Sequence, residues 1–257
     1  LCEAVMENRS LKKLCVGDKS FGDSGVTALA AGLALSASLQ HVDLANKGLS
    51  NEGIQQIIAA FQGDQSVCRL TELLLSQNEA VDNVGIAALA AALNDEGHGL
   101  HALQTLKLAG MGLRATSIKT CVPHLSQLRV LDLRNNDLSS TATATSSCEQ
   151  PSTTFVDLVE AASHIKSLEE LHLSSCQLAL LPSDEDSVAQ RLKTAFQQSS
   201  LRLLDLSGNS FAAPRTDQSS DDENGLTKIA QSLGDAFGAA PCLQHLDVSE
   251  IGLGPGP

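Results

Sequence analysis

The tetrapeptide Gly22-Asp23-Ser24-Gly25 sets a serine beside an acid and between glycines, a setting in which a hydroxyl can act as the nucleophile of acyl transfer. A nucleophilic serine needs a base to take its proton and a third group to orient that base, so the first test is whether the tetrapeptide stands alone. It does not. The chain also reads SNEGIQQIIAAF at 50–61, DNVGIAALAAAL at 82–93 and DENGLTKIAQSL at 222–233, each with a glycine followed by a branched aliphatic residue. Aligned on that glycine, Val26, Leu29 and Leu33 match Ile54, Ile57 and Phe61, then Ile86, Leu89 and Leu93, then Leu226, Ile229 and Leu233. Apolar residues at i, i+3 and i+7 form one stripe of a helix. Asp23, Asn51 and Asn83, two residues before the glycine, are predicted N-caps. Ser24 has no counterpart: the other copies carry Glu52, Val84 and Asn224, so a recurring helix start displaces the nucleophile.

Other reactive side chains point the same way. The seven histidines, His41, His98, His101, His124, His164, His172 and His245, include no pair at metal-ligand spacing on one helix. The terminal GLGPGP has prolines where a dinucleotide motif needs a helix to receive phosphate. No enzyme constellation emerges, and no cofactor or metal is expected.

The elements that would position any site are eight strand phrases preceding the helical ones. They begin at Leu11, Leu39, Leu70, Leu103, Leu128, Leu168, Leu201 and Leu243, and LRVLDLRNNDL is the most regular. The template is L-x-x-L-x-L-x-x-N-x-L, whose middle alternates with period two and so predicts a short strand.

This template resembles the leucine-rich repeat signature, and the helical phrase between copies resembles the ribonuclease-inhibitor-like subfamily, whose units pair a strand with a full α-helix. The resemblance covers nearly the whole chain and implies an α/β leucine-rich repeat solenoid (horseshoe) of about eight irregular repeats, with a parallel concave sheet and convex helices. Residues 1–257 are read as one array, a segment of a longer chain, because neither end shows a polar cap. Successive strand phrases start 28, 31, 33, 25, 40, 33 and 42 residues apart, so the longer units carry inserts, placed near 139–154 and 213–224. The template's asparagine is present as Asn78, Asn136 and Asn209, with Cys176 a familiar substitute, but is replaced by Lys19, Lys47, Met111 and Ile251. Where it is missing, water or a neighbour must satisfy the turn's backbone, and local loosening is expected.

If the strands stack in register, Cys15, Asp43, Leu74, Lys107, Asp132, His172, Asp205 and Asp247 form one concave row. Carboxylates beside a histidine invite acid–base or metal chemistry, but aspartate before the second strand leucine is a common choice in such repeats. The row is therefore read as a partner-contact surface: Asp43, Lys107, Asp132, Arg134, His172, Asp205 and Asp247. Asp205 and Asp247, one strand spacing of about 5 Å apart, invite a raised pKa in one of them.

A net charge of −13 disfavours direct contact with nucleic acid or anionic membranes. No apolar run approaches the ~20 residues that span a bilayer, so membrane insertion is not expected. Acidic residues gather in inserts, at Asp184–Asp186 and from Asp217 to Glu223, and 139–154 is a Ser/Thr-rich excursion where phosphorylation lacks a specific motif. The seven cysteines show no C-x-x-C spacing, which favours reduced thiols in the cytoplasm or another reducing compartment. There is no Trp or Tyr, and of six Phe, Phe61, Phe196 and Phe237 are expected in the core, which argues against an aromatic-anchored concave site. These features predict a non-enzymatic scaffold for other proteins, a structural subunit of a multi-subunit, cytoskeletal or axonemal assembly. The repeat type also admits a small-GTPase regulator resembling the Ran GTPase-activating protein, though no site residue can be carried over, and the sensing array of an intracellular immune receptor.

Overall fold

The computed structural model describes residues 1–63, 66–93, 99–139, 154–178, 180, 185–211 and 221–252. Strand and helix alternate along them. After helix α1 (Cys2–Glu7) come β1 (Lys13–Cys15), α2 (Gly22–Leu35), β2 (His41–Asp43), α3 (Asn51–Gln62), β3 (Glu72–Leu74), α4 (Asn83–Leu93), β4 (Thr105–Lys107) and α5 (Ala115–Cys121). The second half adds β5 (Val130–Asp132), α6 (Thr154–Ser163), β6 (Glu170–His172), α7 (Glu185–Gln198), β7 (Leu203–Asp205), α8 (Asp221–Gly238) and β8 (His245–Asp247). The eight strands form one parallel sheet in sequence order, with the helices stacked behind it. Most of the two expected inserts lies outside the described residues, as does Cys148.

Stacking makes the core, because no strand–turn–helix unit can bury its leucines alone. The central strand leucine is almost completely buried in the interior units: Val42 at 0%, Leu73, Leu106 and Leu131 at 1%, Leu171 and Leu204 at 0%. The sheet's last strand differs, since Leu246 and Val248 are only partly buried against the core. Phe61 and Phe196 are buried as expected, whereas Phe237 is half-buried, its ring edge-on to Phe196 at 5.4 Å. Phe155 and Phe211 form a second buried edge-on pair at 5.1 Å that strand and helix periodicity had not singled out. Across the helical layer, Arg191 of α7 grips Glu160 and Asp157 of α6, and Lys119 of α5 bonds Asp157 at 2.7 Å. Among the described residues no helix is long and apolar enough to cross a membrane.

The helix starts depart from expectation by one residue in α3 and α4 and by two in α2, whose cap is Phe21. The cap of α3 is Ser50, whose hydroxyl accepts the Glu52 amide, and Asp82 accepts the Val84 amide at the start of α4. Asp23 and Asn51 instead reach forward to the next unit. Asp23 accepts from the Ser50 amide and hydroxyl, while Asn51 accepts the Asp82 amide and donates to the Asp82 carboxylate. The recurring glycine makes room for them: a Cβ on Gly53 would strike the Asp23 carboxylate, and one on Gly85 the Asn51 amide oxygen. The aspartate of Gly-Asp-Ser-Gly is thus a link between units, and Ser24 is exposed on the first turn of α2.

The asparagine ladder also differs from expectation. Asn136 donates to the carbonyls of Leu133 in its own turn and Leu108 in the preceding one, and accepts from Met111 and Leu113. Asn209 does the same for Leu206, Leu173, Cys176 and Leu178. Asparagine occurs in alternate units from the third, and each serves two turns. The turns holding Lys47 and Met111 are therefore tied by a neighbour, so the loosening expected at those two is not found, and the Cys176 turn is tied in the same way by Asn209. Only their own side chains differ, and Cys176 fills its slot by pointing its thiol at the Leu133 carbonyl, 3.1 Å away.

Candidate functional site

The strands pair so that Cys15, Asp43, Leu74, Lys107, Asp132, His172, Asp205 and Asp247 are successive partners across the sheet. All seven candidate contacts lie on this face, Arg134 two residues beyond Asp132 at the strand exit. The face does not treat them alike.

The four aspartates share a structural task. Each accepts the amide two residues later, from Ala45, Arg134, Ser207 and Ser249, at 2.9 to 3.1 Å. Such a bond closes the turn leaving the strand, which is why a short acidic side chain suits the position. Ser207 and Ser249 add hydroxyl bonds to Asp205 and Asp247, both at 2.7 Å. The Ser249 hydroxyl and amide hold the Asp247 carboxyl below the usual aspartate range.

Asp132 is the extreme case. At 2% exposure it is buried, and its two oxygens meet the Arg134 Nε and Nη2 at 3.0 and 2.7 Å. Burial pushes its carboxyl up, but the Arg134 side chain and amide outweigh that and hold it below the ordinary range. Asp132 is therefore not a free contact residue, and its substitution cannot be expected to leave the fold intact.

His172 stands between Glu170 and Asp205, at 3.6 and 3.9 Å. His41 makes a tighter pair with Glu72 at 2.6 Å, and its other ring nitrogen is buried without a partner. Along the strand entries, Arg129 holds Glu169 with bonds of 2.9 to 3.2 Å. Sequence reading named neither pair; the register itself, which sets residues 41 and 72 side by side, was the available signal. Asp43 and Asp247 lie toward opposite ends of the sheet and join no common cluster. Among the described residues no three His, Cys, Asp or Glu side chains could jointly hold a metal ion.

Lys107, Asp132 and Arg134 do converge. They line an open trough of about 770 Å³ with Asn46, Ser76, Gln77, Glu79, Ala109, Gly110 and Asn135. The trough exists because the fourth unit places Ala109 and Gly110 where its neighbours carry Ser76–Gln77 and Arg134–Asn135. Backbone φ of 63° at Gln77 and 57° at Asn135 marks the wall residues as left-handed turns, which project their side chains beside the strand exits.

The Leucine Rich Repeat family model matches residues 167–186. NACHT, LRR and PYD domains-containing protein 3 of Rattus norvegicus is 31% identical over 149 residues, covering 56% of this chain and 14% of that protein. Ribonuclease inhibitor of Sus scrofa is 33% identical over 76 residues, covering 29% of this chain and 16% of the inhibitor. A chain in the crystal structure of the yeast Rad7 and Elc1 complex aligns with a TM-score of 0.41 at 15% identity, covering 97% of this chain and 75% of that one. The chain thus spans about one seventh of the rat protein's length.

Proposed function

We propose that this leucine-rich repeat protein is a non-enzymatic scaffold that holds other proteins against its strand face. The observation carrying the reading is the eight-strand row that presents Asp43, Lys107, Asp132, His172, Asp205 and Asp247 on one face, in which the carboxylates that could have served chemistry are engaged in closing turns. A mostly polar strand face without Trp or Tyr suits contact spread over several units more than one aromatic anchor. Distributed contact of that kind fits a fixed subunit of a multi-subunit assembly, for which a cytoskeletal or axonemal one is our choice.

Affinity purification from native lysate with quantitative mass spectrometry tests this, comparing the natural chain with a variant carrying Asp205→Lys and Asp247→Lys. Stoichiometric partners that the variant loses support the strand face as the contact surface. Partners retained in full move the interface to the helices, and their absence removes the scaffold reading. A second reading, the sensing array of a larger multidomain receptor, draws on the 31% identity to the rat NACHT, LRR and PYD domains-containing protein 3. A nucleotide-binding domain encoded in the same full-length protein would favour it.

A further inference from the structure

We infer that the notch in the fourth unit is a recognition site for an acidic side chain presented by an extended segment of a partner protein. The inference rests on the scaffold reading above and names what its strand face would recognise.

Lys107 lines the trough two residues before Ala109 and Gly110, and among the described residues its ammonium has no hydrogen-bond or ion-pair partner, whereas Arg129 and Arg134, which flank the adjoining strand β5, are each matched by a carboxylate. Arg134 is fixed rather than neutral in effect. Its Nε and Nη2 are clamped to Asp132, its side chain remains 43% exposed, and Nη1 carries no bond, so a donor edge is held in place over the trough. Preorganised donors lose little entropy when a carboxylate arrives, and a guanidinium edge beside an ammonium matches its two oxygens.

The walls limit the guest. Gln77 and Asn135 stand two strand spacings apart, about 10 Å between backbones, which leaves room for one side chain or one extended chain. Their exposed side-chain amides, with that of Asn46, make no hydrogen bonds among the described residues, and each offers both a donor and an acceptor. That pairing complements main-chain peptide groups on either side of an inserted acid. Glu79, exposed and unpaired on the lining, disfavours a doubly charged phosphate more than a single carboxylate.

The test is selection of random linear peptides displayed on phage against the intact chain, followed by fluorescence-polarisation titration of the selected peptides. The expected result is enrichment of Asp or Glu at one peptide position. Lys107→Gln and replacement of that acid by its amide should each weaken binding about tenfold, and the two together no further, because they remove the same contact. Selection against Lys107→Glu should enrich Lys or Arg instead. Lys107 is partly exposed and unpaired, so both variants should keep the thermal midpoint of the natural chain. Peptides without an acid, peptides that bind Lys107→Gln as tightly, or no selection above background would each overturn the inference. Those results leave native co-purification untouched, whereas loss of co-purified partners alongside Lys107-dependent peptide binding would remove the scaffold reading alone.

Discussion

Asn78 and Lys47 meet in one turn although they belong to different units: the Asn78 side-chain oxygen accepts the Lys47 amide at 3.0 Å and the Leu49 amide at the same distance. Its nitrogen donates to Leu44 and to its own unit's Leu75, at 2.9 and 2.7 Å. One buried amide thus satisfies four backbone groups across two turns. Asn78→Ala should cost about 2 to 4 kcal/mol, since a buried group left unpaired costs about 1 to 3 kcal/mol and relaxation recovers only part. Lys47→Ala, at the equivalent position one unit earlier, should change stability by less than about 0.5 kcal/mol, because its turn is held by Asn78. Urea denaturation of the two variants checks the asymmetry, and equal losses would show that the neighbour's amide does not serve the Lys47 turn.

A second contrast concerns the recurring helix glycine. Alanine in place of an exposed mid-helix glycine stabilises by about 0.5 to 1 kcal/mol. Gly234, with nothing within 4 Å of an added Cβ, should follow that rule. Gly53→Ala should do the reverse, since its Cβ would displace Asp23 from the Ser50 amide and hydroxyl. Thermal midpoints should rise for Gly234→Ala and fall for Gly53→Ala, and a rise in both would mean that the Asp23 link moves aside at no cost.

How far the sequence carried this molecule depends on whether a residue's role lay within its own unit. Leu131 declares itself by alternation, and the repeat of that alternation predicts the strand row from Cys15 to Asp247 in full. Asp23 and Asn51 were misread as caps of their own helices because their true partners, Ser50 and Asp82, belong to the next unit, and no local rule addresses that distance. Asp132 reads as a free surface acid for a related reason: alternation places it on the strand face, but Arg134 folds back and binds both of its oxygens. The notch at Lys107 was least legible, since it is made by what Ala109 and Gly110 lack.

Asp132 should also set part of the acid limit of stability. Its folded pKa lies below the ordinary 3.8, so the folded state binds fewer protons than the unfolded state in the window between them. The stabilisation is complete above the ordinary carboxylate range and is lost as pH falls through the depressed folded value. Stability of the natural chain should therefore drop more steeply below about pH 4 than that of Asp132→Asn, which begins lower at pH 7 because the buried carboxylate's charge and one of its two bonds from Arg134 are lost. Urea midpoints measured from pH 7 down to pH 3 check this, and parallel curves would assign the acid limit elsewhere, for instance to Asp157 under Lys119 and Arg191.

The last prediction uses the half-covered end of the sheet. Leu131, Leu204 and Leu246 occupy the same template position, but the first two are at 1% and 0% exposure while Leu246, on the last strand of the described residues, is only partly buried. Leu131→Ala and Leu204→Ala should each cost about 2 to 5 kcal/mol, the transfer term plus the cavity left between two fixed units. Leu246→Ala should cost less than half as much, because part of its surface already meets solvent and β8 can settle toward β7. In a stack whose units touch only their neighbours, the end unit is also the first to open. Hydrogen exchange should accordingly show the Gln244 and His245 amides, bonded to the Arg202 carbonyl, exchanging ahead of the Arg129 and Val130 amides bonded to Gln104. Uniform protection across both pairs would mean that the eighth unit is as firmly held as the interior, and that the partial exposure of Leu246 has no energetic consequence.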